Sequence, residues 1–279
     1  MKLRVTAIQR GCFSDGPGIR TTVFLKGCYL SCPWCCNPET IYFDKDLYFT
    51  RNTEVCGTSS ICKTCEIKGG AQIKTNCPFG VFKPTYKDYD TLELLEILLK
   101  DKSLFIESNG GITFSGGEPL MHAEALLPLL QLLKDIGVHI AFESSLYAPS
   151  PNMRLLFNYV DYWLADVKFQ FGFISHIEKD IYLKDFEYNL NYLQSSNVHV
   201  KYRMVLTHQA VKRVNQIVAR FQKYNIKEVE LLACHNLGNG KYNKLNKKFS
   251  LYNEPSEDDI RTIMNVFSSA GIRSQIMKI

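Results

Sequence analysis

The sequence predicts an α/β protein built on a parallel sheet, and three observations predict it. Strand-like runs rich in β-branched and aromatic residues alternate with leucine-striped helical stretches about six times after residue 35. Such alternation implies parallel strands joined by right-handed crossovers. A tight cysteine cluster follows directly on an early strand, at the carboxyl end where parallel α/β folds carry their sites. The 279 residues, 46% of them hydrophobic, supply one large domain, or one domain with an insertion, and ample core.

Residues 4–9 alternate weakly and read as a first strand. Gly16-Pro17-Gly18 sets a tight turn after Ser14-Asp15. Residues 20–26, Arg-Thr-Thr-Val-Phe-Leu-Lys, form a good strand. It delivers Gly27 to Asn37, with Cys28, Cys32 and Cys35 spaced C-x3-C-x2-C. A short loop brings three such thiolates to one side, where they can hold one soft metal centre. Structural zinc sites and electron-transfer clusters normally take four protein ligands, so three suggests an open coordination position. A zinc knuckle is the competing reading. Trp34 would shield one side of such a centre; otherwise it is an ordinary buried aromatic.

Residues 48–85 differ in texture and read as an inserted module. They contain Cys56, Cys62, Cys65 and Cys77, and Cys77 begins a Cys-Pro ending like that of bacterial ferredoxin motifs. Four such ligands could hold an iron–sulfur cluster or a four-cysteine zinc site. Asp90 is an N-cap for a helix striped by Leu92, Leu95, Leu98 and Leu99. Residues 111–115 form a strand that ends in Gly116-Gly117-Glu118-Pro119. The helix 122–136 carries Leu126, Leu127, Leu130 and Leu133. The strand 138–143 ends in Glu143-Ser144-Ser145, and 152–159 is a short helix. The strand 162–168 ends in Asp166-Val167-Lys168. A helix over 185–195 precedes the strand 198–206, which carries Arg203. A helix over 211–224 leads to the strand 228–233 and on to His235. A helix capped by Ser256 and a strand over 273–277 close the chain.

The cysteine spacing, with an aromatic residue before the third cysteine, resembles the radical S-adenosylmethionine (radical SAM) superfamily. There, three cysteines hold a 4Fe–4S cluster whose fourth iron is chelated by the amino and carboxylate groups of SAM. The run from Asp15 to Cys28 narrows the resemblance to activating enzymes of glycyl radical enzymes, the group of pyruvate formate-lyase activating enzyme. Its usual histidine after the third cysteine is Cys36 here, followed by the expected Asn37-Pro38-Glu39. Asp-Thr-Asn-Gly becomes Glu143-Ser144-Ser145-Leu146, and Asp-Leu-Lys becomes Asp166-Val167-Lys168. The later segment matches at His235, Leu237, Gly238, Lys241 and Tyr242, with Ala233-Cys234 in place of Pro-Tyr.

The resemblance covers nearly the whole chain and implies an open (β/α)6 partial barrel of TIM type with a small ferredoxin-like insertion that holds one auxiliary 4Fe–4S cluster. It implies SAM contacts from Trp34, Cys35, Cys36, Gly116, Gly117, Glu118, Glu143, Asp166, Val167, Lys168, Arg203 and His235. Lys168 would pair with the SAM carboxylate, and His235 would lie near the sulfonium. The implied activity is that of an oxidoreductase. Reductive cleavage of SAM gives a 5′-deoxyadenosyl radical that takes hydrogen from a glycine of a partner enzyme, under anaerobic conditions. Flavodoxin or ferredoxin would donate the electron. Two other readings are a radical SAM enzyme acting on a small molecule or nucleotide precursor, and a non-enzymatic iron–sulfur or zinc module.

Composition narrows the surroundings. Ten cysteines, eight of them between Cys28 and Cys77, argue for metal or redox chemistry in a reducing compartment. The formal charge of +5 is scattered and calls for no nucleic acid. No apolar run is long enough to span a membrane, and the start lacks the pattern of a signal peptide, so the expected location is the cytoplasm.

Overall fold

The fold comes from a computed structural model, which describes residues 2–43, 46–49, 82–169, 179–248 and 254–277. Cys56, Cys62, Cys65 and Cys77 lie outside the described residues. Strand β1 (Leu3–Cys12) is longer than expected because it pairs antiparallel with β2 (Arg20–Leu25) along its length. Two short strands, β3 (Leu47–Phe49) and β4 (Phe82–Pro84), form a separate antiparallel ribbon. A strand that the sequence reading missed, β5 (Lys87–Tyr89), adds antiparallel to β1. The other strands are β6 (Gly111–Gly116), β7 (His139–Ser144), β8 (Tyr162–Asp166), β9 (His199–Leu206), β10 (Glu228–Ala233) and β11 (Arg273–Met277). The main sheet runs β11-β10-β9-β8-β7-β6-β2-β1-β5. From β11 to β2 every pairing is parallel, and the sheet is open, with β11 and β5 as its edges. This is the parallel sheet that the sequence pattern predicts and the open partial α/β barrel that the resemblance implies.

Its two faces differ because side chains alternate along a strand. Val23, Phe114, Phe142, Trp163, Met204 and Leu231 are fully buried on the outer face. Phe114, Phe142 and Trp163 form a continuous row, with ring centroids 5.6 and 5.5 Å apart. A closed barrel fills its interior with branched aliphatic side chains. Here the inner face carries Thr22 opposite Thr113; Asp166, Arg203 and Glu230 in one row; and Glu143 opposite Leu164. The 13–18 turn tucks under it: Thr113 Oγ1 donates to the Asp15 carbonyl at 2.7 Å, and Arg203 to the Ser14 carbonyl.

Helices cover the outer face. Asp90 caps α1 (Thr91–Leu99) by accepting from the Glu93 amide at 2.9 Å, as expected. The buried stripe is Leu94 and Leu98, whereas Leu92 is 64% exposed; five leucines in nine residues fit more than one helical face. A second helix, α2 (Lys102–Ser108), ends at Asn109 in the left-handed conformation. Then come α3 (Ala123–Asp135), α4 (Ser150–Leu156) and α5 (Lys179–Gln194). The expected helix 211–224 is two pieces, α6 (His208–Val211) and α7 (Val214–Lys223). The short α8 (Asn239–Lys244) was not foreseen. The last helix, α9 (Glu257–Ser269), opens with a capping box between Ser256 and Asp259. Among the described residues no helix is long and apolar enough to cross a membrane.

Candidate active site

A cavity of about 230 Å³ opens at the carboxyl ends of the parallel strands. The cysteine loop forms one wall. The loop is closed at its base where the Gly27 and Cys28 amides donate to the Thr40 and Ile41 carbonyls at 2.6 and 2.9 Å. Cys28, Cys32, Cys35 and Cys36 all line the cavity, with Trp34 beside them. The Thr40 hydroxyl reaches across to the Gly116 carbonyl at 3.1 Å and joins the loop to the end of β6.

That junction explains Gly116-Gly117. Gly116 has φ +100°, and a Cβ there would stand 2.4 Å from the Leu25 amide. A Cβ on Gly117 would stand 2.1 Å from the Gly27 carbonyl oxygen. Only glycine lets the two backbones meet this closely. Glu118 turns inward and is buried. Its carboxylate accepts from Ser144 Oγ at 2.6 Å, Ser145 Oγ at 2.6 Å, the Ser145 amide at 2.9 Å and the Leu120 amide at 3.3 Å. Burial pushes its carboxyl above the usual range, against the four donors that favour the charged form. Glu118 thus ties the end of β6 to the end of β7.

Lys168 lies two residues beyond β8 and pairs with Asp166 inside the cavity. Burial opposes its charge, but Asp166 and Cys32 more than offset that, and its pKa ends above the ordinary lysine value. Asp166 Oδ1 is buried without a hydrogen-bond partner. Val167 does not line the cavity; its side chain joins the core, and its amide donates to the Arg203 carbonyl at 2.8 Å. Arg203 reaches the cavity with its guanidinium already engaged: Nε with Glu230 at 2.7 Å, Nη1 with Glu143 at 3.5 Å, and Nη2 with the Ser14 carbonyl. Glu143 also accepts from Ser115 Oγ at 2.6 Å. His235, just past β10, closes the opposite wall.

Of the three spaced cysteines Cys32 is buried and Cys28 and Cys35 are half-buried. Burial pushes Cys28 and Cys32 up and Cys35 to about 12, and the neighbouring Cys32 charge adds to the shift at Cys28 and Cys35. Held as thiolates they require a cationic group among them. One tetrahedral ion would need its sulfurs within about 4 Å of one another. Among the described residues no three His, Cys, Asp or Glu side chains are grouped so as to hold one metal ion. In a 4Fe–4S cluster each thiolate binds a different iron, so this donor set fits a cluster better than a single ion. The unpartnered Asp166 oxygen beside an ammonium suits a ligand with both amino and carboxylate groups, as SAM has.

The sequence reading did not foresee one cluster. Lys241 Nζ donates to Asn37 Oδ1 at 2.7 Å and Glu39 Oε1 at 2.6 Å, so the segment after His235 grips the cysteine loop. Both partners stand in quoted motifs, Asn37-Pro38-Glu39 and Lys241-Tyr242, but a single sequence carries no signal that pairs them.

A family described as "4Fe-4S single cluster domain" matches residues 14–172. The 4-hydroxyphenylacetate decarboxylase activating enzyme of Clostridioides difficile is 29% identical, over 95% of this chain and 93% of its own length. The pyruvate formate-lyase 2-activating enzyme of Escherichia coli (strain K12) is 32% identical, over 97% of this chain and 91% of its own. The trans-4-hydroxy-L-proline dehydratase activating enzyme of Clostridioides difficile is 29% identical over 98% of both. Among solved structures, a radical SAM methyltransferase from Sphaerobacter thermophilus shares the fold at TM-score 0.55 and 12% identity, over 92% of this chain and 66% of that one. The chain therefore belongs to the radical SAM superfamily, among the activating enzymes of glycyl radical enzymes, which work with a 4Fe–4S cluster and S-adenosylmethionine.

Proposed function

We propose that this chain activates a glycyl radical enzyme by reductive cleavage of SAM in the cavity above the sheet. The observation that carries this is the convergence of Cys28, Cys32, Cys35, Gly117, Lys168 and His235 on one cavity at the strand ends. When bound, a 4Fe–4S cluster would supply the single electron for reductive cleavage of SAM, and the resulting hydrogen abstraction would fall on a glycine of the partner enzyme. Cys28, Cys32 and Cys35 hold the cluster. Lys168 binds the SAM carboxylate, and Asp166 Oδ1 accepts from its ammonium. Glu118 holds the Ser144–Ser145 turn, and Arg203 holds Glu143, so the floor is fixed before the ligand arrives. Trp34 and the packed cysteine loop exclude water. Cys56, Cys62, Cys65 and Cys77 hold a second, auxiliary 4Fe–4S cluster. The electron comes from a flavodoxin or ferredoxin, and the protein substrate is a glycyl radical enzyme.

The test is anaerobic reconstitution with iron and sulfide, followed by iron counting and an assay for reductant-dependent 5′-deoxyadenosine. Product with about eight irons per chain is expected for two 4Fe–4S clusters. Product with about four irons and one zinc keeps the enzyme and replaces the auxiliary cluster. A full cluster that forms no product rejects the proposal. Adding a glycyl radical enzyme should then produce a glycyl radical signal by electron paramagnetic resonance.

A further inference from the structure

Two loops that follow distant strands meet above the sheet. The cysteine loop follows β2, and the segment that carries His235 follows β10; β6, β7, β8 and β9 stand between those strands. The sheet is open, so no strand pairing between β2 and β10 fixes the distance between the cavity walls that the two loops form. Direct contact fixes it instead. A Cβ on Gly238 would stand 3.1 Å from Cys36 Cα and 3.3 Å from the Cys35 carbonyl oxygen. Lys241 Nζ reaches Asn37 Oδ1 at 2.7 Å and Glu39 Oε1 at 2.6 Å. Further along, Lys247 Nζ reaches Asp46 Oδ2 at 3.3 Å, and the same oxygen takes Lys26 Nζ, from the end of β2, at 3.2 Å.

Of these ties the one at Lys241 stands nearest the cavity. Its partner Asn37 lines the cavity, two residues after Cys35. The Glu39 side chain is 7% exposed, and among the described residues Lys241 is its only ion-pair partner. A buried carboxylate that loses its cation is costly, so the pair holds one geometry rather than sliding. The turn it grips is itself fixed from below. The Glu39 carbonyl accepts from Lys26 Nζ at 2.8 Å, and the Thr40 hydroxyl donates to the Gly116 carbonyl at 3.1 Å. Segment 235–241 is therefore moored to a rigid piece of the cysteine loop.

We propose that Lys241 is a positioning residue: it sets the spacing between the cysteine loop and the His235 wall, and with it the width of the cleft that takes SAM. Lys241 acts through Asn37 and His235, which line the cavity, and not by touching the ligand. The inference rests on the reading of the cavity as a SAM site.

The test uses the full chain reconstituted anaerobically, as wild type, Lys241→Met, Lys241→Arg and the Lys241→Met/Glu39→Gln double variant. The quantities read are iron per chain, the paramagnetic resonance spectrum of the reduced cluster without SAM, the thermal midpoint, and the SAM dissociation constant by equilibrium dialysis. Lys241→Met should keep the iron and the SAM-free spectrum and lower the midpoint, because a buried carboxylate loses its cation. It should weaken SAM binding about tenfold, an ordinary size for coupling between a ligand and a contact outside its own site. The double variant strands no charge, so it should regain most of the midpoint but not the SAM affinity. Lys241→Arg, whose guanidinium can span both acceptors, should bind SAM nearly as well as wild type. Unchanged SAM binding in Lys241→Met would overturn the inference. So would SAM affinity that returns with the midpoint in the double variant, or a loss in Lys241→Arg as large as in Lys241→Met. Loss of iron or a changed SAM-free spectrum in Lys241→Met would overturn it as well, since the lysine would then be holding the cluster loop itself. A wild-type protein with a full cluster and no SAM binding would instead overturn the SAM-site reading on which the inference rests.

Discussion

Two opposing effects meet at Lys168. Burial disfavours the ammonium, while Asp166, Cys32 and Cys28 hold it charged. Lys168→Met removes the cation and leaves the Asp166 carboxylate without its partner. We expect SAM binding to weaken at least about tenfold, since a charge-assisted hydrogen bond is lost, while the iron content holds. Equilibrium dialysis and iron analysis check both halves. His122 makes a pH prediction. It packs beside Phe43, its Nε2 is buried without a partner, and burial pushes its pKa down to about 4. The unfolded imidazole takes a proton below about pH 6.5. Between these two values the unfolded chain binds more protons, so stability is lost as pH falls through that window. From pH 7 to 5.5 this amounts to about 1 kcal/mol. Urea midpoints at the two pH values should differ less in His122→Phe than in wild type.

Among the elements, the end of β6 is the most constrained. Gly117 lies flush against Gly27, and the added methyl of Gly117→Ala would meet backbone that has nowhere to move. A loss of about 3 kcal/mol is expected, with less iron retained, because the same contact seats the cysteine loop. Thermal unfolding and iron analysis would show it; an unchanged midpoint would mean that the loop yields there. The Gly-Gly-Glu pattern was legible in the sequence, but its physical reason was not. The resemblance offered Gly116 and Gly117 only as SAM contacts. The structure adds a close backbone contact between Gly117 and Gly27, far apart in the chain, which no local pattern encodes. Asp90 and Ser256 were legible as caps because a cap is written within four residues. The face of α1 was not, because its leucines crowd the helix and only packing selects Leu94 over Leu92.

The whole molecule was legible where a pattern repeats. Alternating strands and helices forecast the parallel sheet, and the spaced cysteines marked which end of it carries the site. The polar inner face was hidden. Glu143 and Arg203 were named as cavity residues by the resemblance, but the pairing of Arg203 with both Glu143 and Glu230 was not, because it joins side chains of three separate strands. The antiparallel edge at β5 was hidden for a similar reason, since three residues carry too little periodicity to register. At this scale the prediction concerns metal content. Replacing Cys56, Cys62, Cys65 and Cys77 by serine should lower iron from about eight to about four per chain. SAM cleavage should persist at reduced turnover, as a deoxyadenosine assay would measure. Unchanged iron would place the auxiliary ligands elsewhere.

The small ribbon of β3 and β4 has a consequence of its own. It sets Phe49 opposite Phe82 in register, so the chain departs from the barrel and returns to it at one point. Because the pairing fixes both ends, the barrel's own elements meet in the same places whatever the number of residues between β3 and β4. Closing a longer flexible loop adds only about 0.6 kcal/mol for each doubling. Descent can therefore change the length of sequence between the two strands while the sheet and the cavity at its strand ends are inherited unchanged.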